Sequence, residues 1–173
     1  MTSALELALV RGFSALTVDE VARSANASKT TLMRFFGGRR GLIEATLALE
    51  MELVVGPLEE SSADLVRFGA AFQQIIFSER CLGLLRFVLH ESATDAGLGE
   101  AFRGTVLAGV RTMIGPAVSE ALGLPLDDPD VVSASERYLG DLVGVELLRA
   151  LSGDRPDAAR LEVLRGRAVR QLG

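Results

Sequence analysis

TVDEVARSANASKTTLMRFFGGRRGL, residues Thr17 to Leu42, is the stretch that decides how this chain is read. Thr17 offers a hydroxyl at the start of a helix. Glu20, three residues on, can reach back to the Thr17 amide, and this T-x-x-E spacing is a capping box. Asp19 and Glu20 also meet the positive end of the helix dipole. Val18, Val21, Ala22 and Ala25 follow at helical spacing and give the helix one apolar face. The helix is expected to stop between Ser24 and Ala27. Asn26 is the expected turn residue, because asparagine tolerates left-handed backbone angles.

Ser28 then caps a second helix. Leu32, Phe35 and Phe36 fall on one side and are expected to pack inward. Lys29, Thr30, Thr31, Met33 and Arg34 are left to face outward. Lys29 is the only lysine in the chain, and the other seventeen cationic side chains are arginine. Gly37 and Gly38 end the helix, and Arg39 and Arg40 open the next one, where they suit phosphate contacts. Hydroxyls and cations together suit phosphates and base edges. Two short helices, a tight turn and a polar, basic second helix are the plan of a helix-turn-helix, which sets its second helix in the major groove of DNA. The competing reading is a plain helical hairpin with solvated charges. The capping box, turn, aromatic pair and flanking residues weigh against it together, where any one of them alone is weak.

The net charge of −5 runs against DNA binding until it is divided along the chain. Residues 1–45 hold Arg11, Arg23, Lys29, Arg34, Arg39 and Arg40 against Glu6, Asp19, Glu20 and Glu44, a balance of +2 that leaves −7 for the remainder. The positive balance lies where the motif needs it, and the acidic body is repelled by DNA. The apolar fraction of 49% is ample for a core in 173 residues. No run of about 18 or more apolar residues is free of charge, so no membrane span is expected. The first twenty residues lack a secretory pattern. Cys81 is the only cysteine, which excludes an intrachain disulfide and fits a reducing cytoplasm. Arginine in place of lysine points to a GC-rich bacterial source.

From Gly41 onward the chain reads as helix after helix, with no alternating strand pattern and no internal repeat. Residues 42–54 form a helix that Gly56 and Pro57 are expected to break. Helices follow over 63–78, 80–92 and 98–122. The stretch 123–130, GLPLDDPD, is a linker from which Asp128 or Asp130 caps a helix running to Leu151, and a final helix ends the chain. Leu139, Leu142, Val143 and Val145 to Leu148 cover too wide an apolar arc for a half-exposed helix. Gly140 and Gly144, four apart, are expected to share one face and admit another backbone. Leu161, Leu164, Ala168 and Leu172 stripe the last helix. These two helices are therefore the best candidates for a dimer interface, and burial of the stripes within one chain is the competing reading.

No catalytic constellation is visible. His90 and Cys81 are each the only one of their kind, and nine helical residues turn about 900°, placing them on opposite faces. One histidine and one cysteine do not make a zinc site, and no phosphate-binding glycine loop is present. His90 is expected in the core or at a pocket edge. An enzyme is not expected, nor any cofactor or metal.

Residues from Leu5 to about Leu49 resemble the DNA-binding domain of the TetR family of transcriptional repressors. The resemblance rests on Gly12-Phe13, Thr17-Val18 and Val21-Ala22. It continues through Ala25 to Ser28, where the family has Ala-Gly-Val-Ser, then Leu32 to Phe36 and Leu42. Asn26 replaces the usual glycine. Met33 stands where the family often has a tyrosine that contacts phosphate. The chain starts inside the first family helix, so the basic arm that precedes it in relatives is either absent or trimmed from this sequence, and if it is absent DNA affinity is expected to be lower and less salt-dependent. Leu84 to Phe102 (LLRFVLHESATDAGLGEAF) also resembles one TetR subgroup in its Arg, Glu and late Phe pattern.

The resemblance implies an all-α protein. A three-helix helix-turn-helix DNA-binding domain over residues 1–45 precedes an effector-binding and dimerisation domain over 46–173. It implies a cytoplasmic homodimer, joined through the last two helices in a four-helix bundle, on double-stranded operator DNA. It also implies a repressor released by a small apolar effector. The expected DNA contacts are Thr17, Ser28, Lys29, Thr30, Thr31, Met33, Arg34, Phe35, Arg39 and Arg40. Of these, Thr17, Arg39 and Arg40 serve phosphate, and Lys29, Thr30 and Thr31 read bases. Phe68, Phe72, Ile76, Phe77, Phe87, Met113 and Tyr138 are candidate linings of an effector pocket, with Arg86, His90 and Arg103 as polar contacts. Ordinary core packing is the competing role for each aromatic. A helical protein-interaction module that has lost DNA binding is the alternative to the regulator.

Overall fold

The computed structural model describes residues 16–172, and the Leu5 and Gly12-Phe13 part of the motif lies outside them. Among the described residues the chain forms α-helices and one π-helical turn. The helices are α1 Val18–Ser24, α2 Lys29–Phe36, α3 Arg39–Glu59, α4 Leu65–Ile76, α5 Glu79–Ser92 and α6 Ala96–Phe102. The π-helical turn Arg103–Leu107 follows, and then α7 Ala108–Leu122, α8 Pro129–Val143, α9 Glu146–Leu151 and α10 Ala158–Arg170. No helix among them is long and apolar enough to cross a membrane.

Short polar side chains start most of these helices by accepting from orphan amides of the first turn. Asp64 accepts from Val66 N at 2.9 Å, Asp95 from Gly97 N at 3.1 Å, Asp128 from Asp130 N at 2.9 Å and Asp157 from Arg160 N at 2.8 Å. Of the two caps considered for α8, Asp128 is the one used, with Pro129 in the first turn.

The chain divides into two compact units. The first takes residues up to Leu53 together with Gly83–Thr105, so α5 and α6 return to pack on the helix-turn-helix. Among the described residues its core is aliphatic: Leu16, Val18, Val21, Ala22, Leu32, Leu42, Ile43, Leu47, Leu84, Val88 and Leu98, with Phe87 the one buried ring. The second unit takes Val54–Leu82 and the chain from Val106 onward. Phe68 and Tyr138 are buried at its centre with Leu58, Ile114, Val118, Val131 and Leu142. Phe68 stacks on Phe72 with centroids 6.0 Å apart. Gln73 is fully buried and fully used. Its Nε2 donates to the carbonyls of Leu142 (2.7 Å) and Leu161 (3.1 Å), and its Oε1 accepts from Arg165 Nη1 at 2.5 Å. The Tyr138 hydroxyl donates to the Leu65 carbonyl.

Three helix boundaries differ from the sequence expectation. Gly56 and Pro57 do not break α3, which runs on to Glu59. Proline removes one backbone hydrogen bond, but here it sits in the last turn, and burial of Leu58 holds that turn in place. The helix expected over 98–122 is interrupted by the π-helical turn. The helix expected from 130 to 151 breaks at Gly144, whose φ of 48° and ψ of −146° favour glycine. The carbonyl of Leu142, which a continued helix would bond to Glu146, is taken by Gln73 instead.

That break corrects the expected interface residues. Gly144 ends the helix, so Gly140 and Gly144 do not share a helical face. Leu142, Ala168 and Leu172 are buried within the second unit, and Leu161 packs against its Phe77–Leu82–Ala150 cluster. The large apolar side chains left in solvent on α8 to α10 are Val132, Val145, Leu148 and Val163, the last two 67% and 69% exposed.

Candidate nucleic-acid interface

The interface is built from the start of α1 upward. Thr17 is extended, and its Oγ1 accepts from Glu20 N at 3.2 Å, as the T-x-x-E spacing requires. Its own hydroxyl proton stays available to an external acceptor. Val18, Val21 and Ala22 anchor α1 in the aliphatic core. Asn26 takes a positive φ of 49°, and the turn closes with Ala27 N donating to Ala22 O at 2.9 Å. Ser28 caps α2 through Thr31 N at 3.0 Å, and the Ser28 and Thr31 hydroxyls lie 2.7 Å apart.

α2 rests on Leu32, with Phe36 half-buried behind it. Lys29, Thr30, Met33 and Arg34 are exposed, and Thr31 is half-buried. Phe35 corrects the inward packing expected of it: it is 71% exposed. Leu32 and Phe36 define the buried arc, and Phe35 falls about 60° off Leu32 on the other side. The Arg34 guanidinium covers its ring at 5.5 Å, a cation–π contact that shields part of the exposed face. Gly37, at φ 69°, closes α2 by donating to Met33 O. Gly41, in the first turn of α3, is required by a close approach. A Cβ there would sit on the Phe36 carbonyl oxygen.

The cations of this face carry internal carboxylates. Lys29 Nζ pairs with Asp19 at 2.8 Å, and Arg23 with Glu20 at 2.6 Å. Arg40 Nε meets Glu44 at 2.9 Å, and its Nη1 lies 3.8 Å from Asp95, with the guanidinium lying against Gly97. Arg39 is the most constrained. Its Nε donates to Leu16 O at 3.2 Å, its Nη1 meets Glu91 at 2.5 Å, and it lies 6.0 Å over the Phe87 ring. The Arg39 hydrogen bond holds the Glu91 carboxyl below its ordinary range, and the same bond raises the arginine. Among the described residues Arg34 takes no carboxylate; its contact is the Phe35 ring.

Sequence reasoning found the cations and missed their partners. Glu91 and Asp95 lie more than fifty positions from Arg39 and Arg40. The available signal was the Leu84–Phe102 segment, whose Arg-Glu-Phe pattern now has a place, because it packs in the same unit as the helix-turn-helix.

The candidate effector residues are divided between the two units. Phe68, Phe72, Met113 and Tyr138 belong to the main cluster of the second unit, and Ile76 and Phe77 to its smaller one. Phe87 belongs to the first unit, where Arg86, His90 and Arg103 are exposed. His90 is therefore not a core residue. Leu84, Phe87 and Val88 form the buried face of α5 there, and His90 lies off it beside Arg86 and Leu89. A shallow depression in the second unit is lined by Ala63 to Val66, Ala117, Glu120 and Ala121, none of them candidate effector residues.

Comparison with known proteins agrees with this geometry. Residues 1–46 match the family model of bacterial regulatory proteins of the tetR family. A 67-residue segment, 39% of this chain, is 33% identical to YvkB of Bacillus subtilis (strain 168), an uncharacterized HTH-type transcriptional regulator. The match spans about a third of that relative, 35% of its length. A solved structure from Mesorhizobium loti MAFF303099, assigned to the TetR family, superposes with a TM-score of 0.77 at 19% identity, over 99% of this chain and 91% of that one. At that identity it speaks for the fold alone. A TetR transcriptional regulator from Agrobacterium tumefaciens gives a TM-score of 0.69 at 25% identity, over 99% and 89% of the two chains. The motif, the fold and these likenesses agree: over residues 1–46 the chain is similar to bacterial regulatory proteins of the tetR family, and its fold is that of the TetR-type structures it superposes on.

Proposed function

We propose that this chain is a cytoplasmic DNA-binding transcriptional regulator that acts as a homodimer on operator DNA and is released by a small apolar effector. The observation that carries the reading is the outer face of α2. A Ser28-capped N-terminus presents Lys29, Thr30 and Arg34 to solvent while Leu32 fixes the helix from behind. Lys29, Thr30 and Thr31 read bases. Thr17, Arg34, Arg39 and Arg40 hold phosphates, and Ser28, Met33 and Phe35 complete the contact surface. Residues 1–45 form the reading head and residues 46–173 serve effector binding and dimerisation.

Two copies join through α8 to α10, where Val145, Leu148 and Val163 are left exposed. Their recognition helices then reach successive major grooves roughly 34–36 Å apart. The effector enters the second unit beside the stacked Phe68 and Phe72 and shifts the population toward a head spacing that no longer fits two grooves.

The test is titration of labelled DNA from the gene's own upstream region at several salt concentrations. Arg34→Ala is expected to weaken all sequences alike and reduce the salt slope by about one, whereas Thr30→Ala changes which sequence is preferred. If neither variant differs from the wild type, α2 is not the reading helix. Absence of any salt-dependent binding favours an interaction module instead. Leu148→Glu is expected to give a monomer by light scattering, and a dimer that survives it moves the interface elsewhere.

A further inference from the structure

Each of three cations on the proposed DNA face comes with a carboxylate of its own: Lys29 with Asp19, Arg40 with Glu44 and Asp95, and Arg39 with Glu91. The Arg39 pair differs from the others in being enclosed. The Arg39 side chain is 39% exposed and the Glu91 side chain 17%. Leu16 O and the Phe87 ring hold the guanidinium from two further sides. Arg39 cannot swing away to meet a phosphate elsewhere, so a phosphate must come to it. A guanidinium has five N–H donors, and the contacts to Leu16 and Glu91 leave others for an incoming oxygen. Any phosphate that arrives there sits beside a carboxylate that already balances the charge.

Non-specific affinity for duplex comes from unbalanced cations that release counterions. A cation with a fixed internal anion contributes little to it. We propose that Glu91 is a specificity-determining residue for DNA binding: it neutralises Arg39 toward phosphate in general, so that Arg39 contributes only where the docked duplex sets a phosphate on its remaining donors. Asp95 does the same, more weakly, for Arg40, to which it lies at 3.8 Å. The proposal rests on the DNA-binding reading above and adds that carboxylates from α5 and the start of α6 tune it.

The experiment uses the full chain and a labelled random-sequence duplex, so it requires no known operator. Glu91→Gln keeps an oxygen that accepts from Arg39 while removing the charge. It is expected to bind random duplex several-fold more tightly at low salt, with the slope of log K against log salt steeper by about one. In an Arg39→Gln background the same substitution is expected to change nothing, which isolates the pair. Asp95→Asn, at the surface, is expected to shift binding in the same direction by less. An affinity and slope for Glu91→Gln equal to or below wild type overturn the proposal, as does a gain that persists without Arg39. If Glu91→Gln does not fold, Asp95→Asn decides, and no gain there overturns the proposal. A wild-type chain that binds no duplex at any salt overturns the DNA-binding reading itself, a result distinct from wild-type binding that Glu91→Gln leaves unchanged.

Discussion

The first unit sets two short capped helices on an aliphatic core and joins their surroundings through ion pairs at its surface, Lys29 with Asp19 and Arg40 with Glu44 among them. The second unit has surface ion pairs as well, Arg111 with Glu136 among them, but it also ties its helices together through buried polar side chains. Gln73 is enclosed at the junction of α4, α8 and α10 with both ends of its amide satisfied, and Tyr138 is enclosed beside it with its hydroxyl bonded to Leu65. Charges at a surface exchange partners at little cost, because exposed pairs contribute about 0–1 kcal/mol. Buried polar groups do not, because an orphaned one costs about 1–3 kcal/mol. The first arrangement suits reversible meeting with an external anion, and the second suits fixing helices against each other.

The largest effect is expected from emptying the second core. Phe68→Ala removes a fully buried ring and its stacking on Phe72. A loss of about 3–5 kcal/mol is expected in a denaturant titration. A loss below about 1 kcal/mol would show that the cluster can collapse into the void, and that the aromatic core is not what holds this unit. Gln73→Met is expected to follow, at about 1–3 kcal/mol, because the carbonyls of Leu142 and Leu161 lose their donor. If it proves neutral, the buried amide does not fasten α8 to α10 and the contrast between the units weakens.

Much of the first unit was legible in sequence because its determinants are local. Thr17 and Glu20, Ser28 and Thr31, Asn26, and the Gly37-Gly38 stop all act within three or four residues, and the Thr17 and Ser28 caps, the Asn26 turn and the glycine stop form as read. What was not legible came from contacts between distant positions. The Gly144 break draws on Gln73, sixty-nine positions from Leu142, the carbonyl it relieves. Pro57 stays helical because Leu58 is buried. Phe35 has the composition of a core residue, but the buried arc of α2 stops short of it. The carboxylates facing Arg39 and Arg40 come from α5 and the approach to α6, and no local pattern around Gly37–Leu42 announces them.

Ser28→Ala tests the local side of the contrast. The serine oxygen accepts the Thr31 amide and touches the Thr31 hydroxyl. Its loss is expected to cost about 1 kcal/mol of stability. Ser28→Asp restores a cap and is expected to recover the stability while placing a negative charge at the DNA face, so that melts and DNA titrations part company. Recovery of neither stability nor binding would mean that Ser28 acts through something other than its cap.

The smallest effect is expected at the Arg39–Glu91 pair and is separated by pH. Arg39 holds the Glu91 carboxyl below its ordinary range. A carboxylate held low in the folded state adds stability that is present above its unfolded pKa, about 4.3, and is lost as pH falls through the folded value. The guanidinium stays charged throughout. Wild type is therefore expected to exceed Glu91→Gln in stability near pH 7, by no more than about 1 kcal/mol for a pair with this exposure. The difference should shrink as the pH is lowered below about 4. Urea titrations of both proteins at pH 7 and pH 3 read it directly. An equal difference at both pH values would mean that the carboxylate charge does not hold the pair, and that Glu91 serves the first unit only by its shape and its hydrogen bond.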